Sequence, residues 1–370
     1  MNNRTVRLSI VVLCFNEDAS LARCVERVLE IEEEQLTLEI IIVDDGSTDN
    51  SLSVAEALSD RYPGVQVVSH KKNKGKGAAL RTGFELATGD FVAVQDADLE
   101  YDPADLKRLL VPLKKGQADV VLGSRFLSHG AHRVLYFWHA LGNKFLTFMS
   151  NIFTDLNLTD MESCYKVFRR DVIQGIQIQE DRFGFEPEII AKIAHKRLRI
   201  YEMGISYYGR TYAEGKKIGV RDGFRALYCI FRYNAHKAPI PVQFLLYMVI
   251  GGVSAVFNLF LFLLLYHGGA DLTVAAPVAF LSAAGLNYVL CILLLFRHTA
   301  QWNSPMEFII YILLVGALAW LDLSFTRWLL SVGTSPLVAK GFASLLLLLL
   351  NFLGRRFVVF SEPTSGTWSA

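Results

Sequence analysis

The chain has 370 residues, room for two domains, and 52% of them are hydrophobic, with a mean hydropathy of +0.32. The net charge of +1 hides an uneven distribution: Ala238–Ala270 and Thr273–Phe296 contain no Asp, Glu, Lys or Arg, whereas the chain before Ala238 is charged and punctuated like a soluble domain. The five cysteines, Cys14, Cys24, Cys164, Cys229 and Cys291, are scattered without a CxxC pair, which argues against a disulfide framework or a zinc site.

In chain order, strand and helix patterns alternate. The start, MNNRTVRLSIVVL, has no small-residue cleavage site and reads as a strand rather than a signal peptide, which makes the soluble part cytoplasmic. LSIVVLCF is a continuous apolar run expected of a strand buried on both faces, and Leu21, Val25, Val28 and Leu29 follow at helical spacing. LEIIIVDDGSTD is a strand ending in acids and a turn; VQVVSH, the helical AALRTGFELA, FVAVQDAD, a helix over Asp102–Lys115 and ADVVLGSR continue the series. ADVVLGSR is the last clear strand. The alternation predicts a parallel sheet covered by helices, with a ligand cleft at the strands' carboxyl ends. Asn16/Glu17, Asp44/Asp45, Asp96/Asp98 and Ser124/Arg125 all sit at such ends.

Two later segments mix aromatics with basic residues: Arg133–Phe153 and Arg221–Lys237. They fit either core helices with basic outer faces or helices lying in a membrane interface; Pro239 and Pro241, just before the first apolar span, favour the interface. Four spans follow, at 242–267, 273–297, 306–331 and 336–356. The third contains Asp322 and Arg327 and the fourth begins near Lys340, so a pairing of Asp322 with Arg327 or Lys340 is expected. Loops 268–272 and 332–335 lack Lys and Arg, while Lys237, Arg297, Arg355 and Arg356 mark the opposite ends. Both termini are therefore expected on the cytoplasmic side of a multi-pass inner or plasma membrane protein. Asn287-Tyr288 leading to Phe296 and Asn351-Phe352 leading to Phe360 indicate a duplicated helical hairpin.

The chemistry concentrates in QDADLE, Gln95–Glu100. Close carboxylates repel one another unless a cation neutralises them, and oxygen ligands suit Mg²⁺ or Mn²⁺. Asp96 and Asp98 after a buried strand therefore point to a metal bridging a nucleotide diphosphate. Asp45 could accept hydrogen bonds from a base or ribose, or could serve only the turn. KKNKGKGAALRTGF places lysines and glycines at a helix start, a seat for phosphate, although neither a Walker motif nor GxGxxG is present.

The set CFNE (14–17), IIVDDGSTD (41–49), NKGKGAALRTGF (73–84), QDADLEYDP (95–103) and GSRF (123–126), in this order, resembles glycosyltransferase family 2, specifically the polyprenol-phosphate sugar synthases such as dolichol-phosphate mannose synthase. The C-terminal spans resemble the GtrA-like membrane domain. The resemblance implies an α/β GT-A (Rossmann-like) catalytic domain over 1–220, with an interfacial helix at about 133–153. An interfacial helix at 221–238, an all-α four-helix transmembrane domain at 239–360 and a cytoplasmic tail at 361–370 would follow. It implies that Phe15, Glu17, Val43 and Asp45 hold base and ribose, with Lys76, Asp96, Ala97 and Asp98 near the nucleotide sugar. Asp96, Asp98 and Glu100 would bind Mn²⁺ or Mg²⁺; Glu100 stands where related sequences often have Gln. Arg125, Arg133 and Arg210 match acceptor-phosphate positions, with Lys216 and Lys217 assisting, and Asp96, Asp98 and Arg125 form the catalytic set. Asp160 and Glu186 lie in family-like blocks and either position sugar hydroxyls or cap local structure.

The implied reaction is inverting transfer of a hexose, mannose favoured, from GDP-mannose to a polyprenyl or dolichyl monophosphate at the cytoplasmic membrane face. UDP-glucose is the alternative donor. The partners are thus a nucleotide-diphosphate sugar, a lipid phosphate and the membrane, with no nucleic acid. A processive polysaccharide synthase is disfavoured because no QxxRW follows the catalytic region. A lipid-sugar flippase or scaffold role of the membrane half is the remaining alternative.

Overall fold

The computed structural model describes residues 5–127, 133–134, 136–210, 219–296 and 304–359. It divides into two compact units, Met1–Ala238 and Pro239–Ala370.

The first unit runs β1 (Val6–Cys14), α1 (Asp18–Leu29), β2 (Leu36–Asp44), α2 (Ser51–Arg61), β3 (Val65–Ser69), α3 (Lys76–Leu86), β4 (Phe91–Asp96), α4 (Ala104–Lys114), β5 (Val120–Ser124), α5 (Phe137–Thr154), β6 (Lys166–Arg169), α6 (Arg170–Gln174), α7 (Phe185–His195), β7 (Ile200–Gly204) and α8 (Val220–Asn234). The strands form one sheet in the order β3-β2-β1-β4-β6-β5-β7. Ile10, Val11, Val12, Ile40, Ile41, Ile42, Val92 and Val94 are fully buried, as continuous apolar strands between two helical layers require.

The purely parallel sheet expected from the alternation is corrected here. β6 runs antiparallel to both β4 and β5, and β7 then pairs parallel with β5. β6 and β7 both follow the last strand recognised in the sequence. β6 has four residues and begins with Lys166, so it carries little strand signal.

One polar contact deep in the sheet is structural. Glu39 of β2 accepts hydrogen bonds from the Thr88 amide (2.8 Å), Thr88 Oγ1 (2.6 Å), Arg7 Nη2 (3.1 Å) and Ser9 Oγ. Burial alone would raise its pKa, but the hydrogen bonds from Ser9 and Thr88 outweigh it and hold the carboxyl below its usual value.

α5 and α8 pack against each other, with Phe153 and Phe231 edge to face at 4.9 Å. Their outer faces leave aromatics uncovered: Trp138 is 78% and Phe224 is 70% exposed.

The second unit contains α9 (Ile240–His267), α10 (Leu272–Leu290), α11 (Ser304–Ser331) and α12 (Pro336–Gly354), with π-helical segments at Cys291–Phe296 and Arg355–Val359 continuing α10 and α12. Helices thus form at all four expected spans. Among the described residues, Ile240–His267 and Pro277–Leu295 are the two long and apolar enough to cross a bilayer. The side chains of Asp322 and Lys340, and the tail at 361–370, lie outside the described residues. Tyr247, Ile250, Cys291, Leu295, Tyr311, Phe352 and Val359 form the inner cluster, while Val256, Leu259 and Phe260 face outward.

Glu39→Gln is expected to destabilise the protein by about 2 kcal/mol, the scale of hydrogen bonds to a charged group. A depressed carboxyl contributes stability above its unfolded pKa and loses it as pH falls through the folded value. Thermal unfolding in detergent should therefore show a drop for wild type on acidification below about pH 4 that the variant largely lacks.

Candidate active site

The cleft lies where β1, β2 and β4 end. Two backbone strains mark it: Asn16 (φ 54°) after β1 and Leu99 (φ 62°) after β4 are left-handed non-glycine residues. Asn16 is held by Ser47 Oγ, which accepts from its amide (3.0 Å), and by the Thr48 amide, which donates to its Oδ1 (2.8 Å). Leu99 turns the chain so that the Glu100 amide donates to Asp98 Oδ1 at 3.1 Å.

Asp45, just past β2, organises the phosphate-seat loop. Its carboxylate accepts from the amides of Lys74 (3.0 Å) and Gly75 (2.6 Å) and meets His70 Nδ1 at 2.7 Å. Two glycines permit this closeness: a Cβ on Gly46 (φ +71°) would stand 2.5 Å from the Lys72 carbonyl carbon, and one on Gly75 (φ +103°) 2.5 Å from the Asp181 oxygen. His70 was not singled out in the sequence; its position at the end of VQVVSH, level with Asp45, is the one signal available. Phe15 is half-buried beside the cleft, whereas Val43 is a fully buried strand residue and Ala97 is 1% exposed.

The acids converge as the spacing predicts, but with cations between them. Lys76, at the start of α3, lies 2.9 Å from Glu186 Oε1 and 3.5 Å from Asp96 Oδ2. Arg210 reaches Asp98 (3.0 Å), Glu17 (3.3 Å) and Glu100 (3.4 Å). Among the described residues, the five carboxylates Glu17, Asp96, Asp98, Glu100 and Glu186 are touched by two cations, Lys76 and Arg210. Burial, then the charges of Asp96 and Glu100, push the Asp98 carboxyl well up despite Arg210.

Glu100, expected as a third metal ligand, is taken up by the Arg210 amide (2.8 Å), Arg210 Nε and Tyr207 Oη (2.9 Å). Asp96 and Asp98, each touched by one of the two cations, are the hard oxygen donors at the end of β4. Among the described residues no three His, Cys, Asp or Glu side chains form a metal cage. The chemistry of the Asp96–Asp98 pair nevertheless fits Mg²⁺ or Mn²⁺, since Mg²⁺ commonly takes one or two carboxylates and fills its shell with water and phosphate oxygens.

Arg125, expected at the acceptor phosphate, is held by Asp160. Its Nε and Nη2 donate in a fork to Asp160 (2.7 and 2.8 Å), its amide donates to the same carboxylate (3.0 Å), and its guanidinium sits 5.3 Å from the Tyr207 ring. Asp160 is therefore the anchor of Arg125. Arg133 Nη1 donates to the Gly209 carbonyl (3.0 Å), which brings it beside Arg210. Lys216 and Lys217 lie outside the described residues.

Near Glu186 is a further acid that sequence reading passed over. Glu162 lies in DMESCYKVFRR, and burial followed by the charge of Glu186 raises its pKa. Glu162 Oε1 and Glu186 Oε2 are both buried and, among the described residues, have no hydrogen-bond partner. With its pKa raised, Glu162 holds a proton near neutral pH, so the pair offers both a donor and an acceptor to a water or a ligand.

With this geometry in view, residues 9–176 match the family described as Glycosyl transferase family 2, and residues 246–360 match the GtrA/DPMS transmembrane domain. The chain carries a family 2 glycosyltransferase domain joined to a GtrA/DPMS transmembrane domain. It is a membrane protein, and the first unit is a mixed α/β sheet covered by helices. The family 2 domain is similar to a low-salt glycan biosynthesis hexosyltransferase of Haloferax volcanii, 31% identical over 221 residues, which cover 59% of this chain and 51% of that protein. It is also similar to a dolichol-phosphate mannosyltransferase of Pyrococcus furiosus, 29% identical over 58% of this chain and 61% of the relative. A dodecaprenyl-phosphate galacturonate synthase of Rhizobium johnstonii is 27% identical over 60% and 65%. The match thus spans between half and two thirds of the length of these relatives. Among solved structures, glucosyl-3-phosphoglycerate synthase of Mycobacterium tuberculosis is 18% identical, covering 61% of this chain and 79% of that one, with a TM-score of 0.48.

Asp160→Ala would leave the Arg125 guanidinium buried without its carboxylate. A loss of about 3–5 kcal/mol is expected, the scale for breaking one side of a buried ion pair. Thermal unfolding of the purified protein reads it directly; an unchanged midpoint would show that Arg125 does not depend on Asp160.

Proposed function

We propose that the family 2 domain transfers a hexose from a nucleotide-diphosphate sugar to a polyprenyl or dolichyl monophosphate, at the cytoplasmic face of a membrane that the second unit crosses several times. The observation that carries this reading is the gathering of carboxylates at the end of β4, which among the described residues exceed the cations that touch them and so suit a divalent cation and a diphosphate. The family match and the two relatives named for lipid-phosphate sugars support it.

Asp96 and Asp98 would hold Mg²⁺ or Mn²⁺, which when bound neutralises the diphosphate leaving group. Lys76 and the amides of the loop that Asp45 organises offer positive charge to the same phosphates. Glu17, Phe15 and the end of β2 border the base and ribose. The acceptor monophosphate carries about −1.5 to −2 charges near neutral pH, by analogy with phosphoserine. It is therefore a nucleophile that needs no base. One of its oxygens forms the new bond to the anomeric carbon, and the bond from that carbon to the diphosphate oxygen breaks on the opposite face. The electron pair leaves with the nucleoside diphosphate, and the configuration inverts.

Arg133 and Arg210, with Lys217 from the adjoining segment, provide the positive charge that aligns the acceptor. Arg125, fixed by Asp160, acts as a rigid neighbour to this site. The buried carboxyls of Glu162 and Glu186 meet the sugar's hydroxyls. Mannose is favoured by the mannosyltransferase resemblance, with glucose from UDP-glucose as the alternative.

Radiolabel transfer into the organic phase tests the reading, with purified protein, polyprenyl phosphate, Mn²⁺ and GDP-mannose or UDP-glucose in parallel. Label from one donor is expected, lowered about 10²–10³-fold in Asp98→Ala, the scale of removing one electrostatic stabiliser. Absence of label from every nucleotide sugar tried would overturn it. Glu162→Gln is expected to raise the donor KM about tenfold, about 1.4 kcal/mol, the scale of one hydrogen bond. Nucleoside diphosphate binding should stay unchanged in that variant; equal weakening of both would remove the sugar-reading role.

A further inference from the structure

Arg210 reaches three acids that belong to two strand ends. Its Nη2 lies 3.0 Å from Asp98 Oδ2 and 3.3 Å from Glu17 Oε1, its Nη1 3.4 Å from Glu17 Oε2, and its Nε 3.4 Å from Glu100 Oε1. Asp98 and Glu100 follow β4, and Glu17 follows β1. Both oxygens of Asp98 are thereby engaged by its own chain, Oδ1 by the Glu100 amide (3.1 Å) and Oδ2 by the guanidinium. The segment leading to Arg210 lies along the same acids. Tyr101 and Tyr207 form an isolated antiparallel bridge, the Tyr208 amide donates to the Glu100 carbonyl (2.8 Å), and the Arg210 amide donates to Glu100 Oε1 (2.8 Å).

These contacts differ in kind from those of Arg125. Arg125 meets one carboxylate in a short fork of 2.7 and 2.8 Å, and its side chain is 10% exposed. Arg210 divides itself among its acids at 3.0 to 3.4 Å, and its side chain is 24% exposed. Charge-assisted hydrogen bonds of full strength are about 2.7–2.9 Å long. A guanidinium spread over several acids offsets their repulsion without a tight geometry, and partly exposed ion pairs of this kind contribute little. A smaller and more highly charged cation can therefore replace it. The two cannot share Asp98, because a divalent ion on that carboxylate would stand beside a guanidinium already in contact with it. Lys76 is not in this position: it pairs with Glu186 at 2.9 Å and comes no nearer than 3.5 Å to Asp96.

We propose that Arg210 is an internal stand-in for the divalent cation. It holds Glu17, Asp98 and Glu100 together, and the cation that binds Asp98 displaces the guanidinium and loosens its segment from Glu100. Metal binding and the Arg210 contact thus exclude each other. The displaced guanidinium is then free to meet an anion, so a phosphate-bearing acceptor gains Arg210 only after the cation has entered. That last consequence rests on the acceptor class proposed above; the exchange at Asp98 rests only on the cation site.

The test is Mn²⁺ binding to the full-length protein in detergent, without nucleotide, read from the paramagnetic resonance signal of the free ion. Arg210→Gln is expected to bind Mn²⁺ about tenfold more tightly than wild type, and Asp98→Asn to lose the site. Equal or weaker binding by a folded Arg210→Gln protein overturns the stand-in and leaves the cation site intact. Binding that survives Asp98→Asn, or that is absent from both wild type and Arg210→Gln, overturns the stand-in and the cation site together. Hydrogen exchange of the wild type decides the matter if Arg210→Gln does not fold. Saturating Mn²⁺ should speed exchange of the Arg210 amide, which shares Glu100 Oε1 with the departing Nε. Unchanged or slower exchange overturns the proposal. Sugar transfer is not part of either readout, so the transferase reading can fail while the exchange at Asp98 stands.

Discussion

The arrangement of the first unit depends on carboxylates being held together at the end of β4. Asp96 and Asp98 are brought there by a strand buried on both faces, and Glu17 and Glu186 are added from other elements. Coulomb repulsion in a partly buried cleft would force them apart without counter-charges. Lys76 and Arg210 supply part of that charge and, among the described residues, leave an excess of carboxylates. Much of the surrounding structure serves to position those two cations: Asp45 fixes the loop before Lys76, and the Tyr207–Glu100 contact fixes the segment carrying Arg210. A divalent cation and a diphosphate would complete this balance, and the same residues would then be ready to release their mutual contacts to the ligand.

The centre of the second unit is a guanidinium, Arg355, held by the amides of Asn287 and Asn351 and the phenol of Tyr311, inside helices whose outer faces are apolar.

Much of this was legible in the residues. LSIVVLCF, LEIIIVDD and FVAVQDAD announce β1, β2 and β4 because strands buried on both faces need continuous apolar runs. Asp96 and Asp98 stand out because acids rarely end such runs without a purpose. β6 was not legible: four residues, one of them a buried lysine, pair with β4 and β5 through side-by-side contacts that no local pattern encodes. Nor was the partner of each arginine. Arg210 and Glu17 are 193 positions apart, and Arg125 meets Asp160 across 35, so the fold alone decides that one cation balances the acids and the other is anchored by a single carboxylate. The Asn-aromatic repeat was visible, but the convergence of Asn287, Asn351 and Tyr311 on Arg355 required the packing of the four helices.

The most direct test of the charge account is calorimetric binding of GDP and UDP to the full-length protein, in Mn²⁺ and in EDTA. The account predicts that one diphosphate binds at least about tenfold more tightly with Mn²⁺, a difference of about 1.4 kcal/mol, and that Asp98→Asn removes this gain. Equal affinity with and without the cation, in a folded protein, would contradict it.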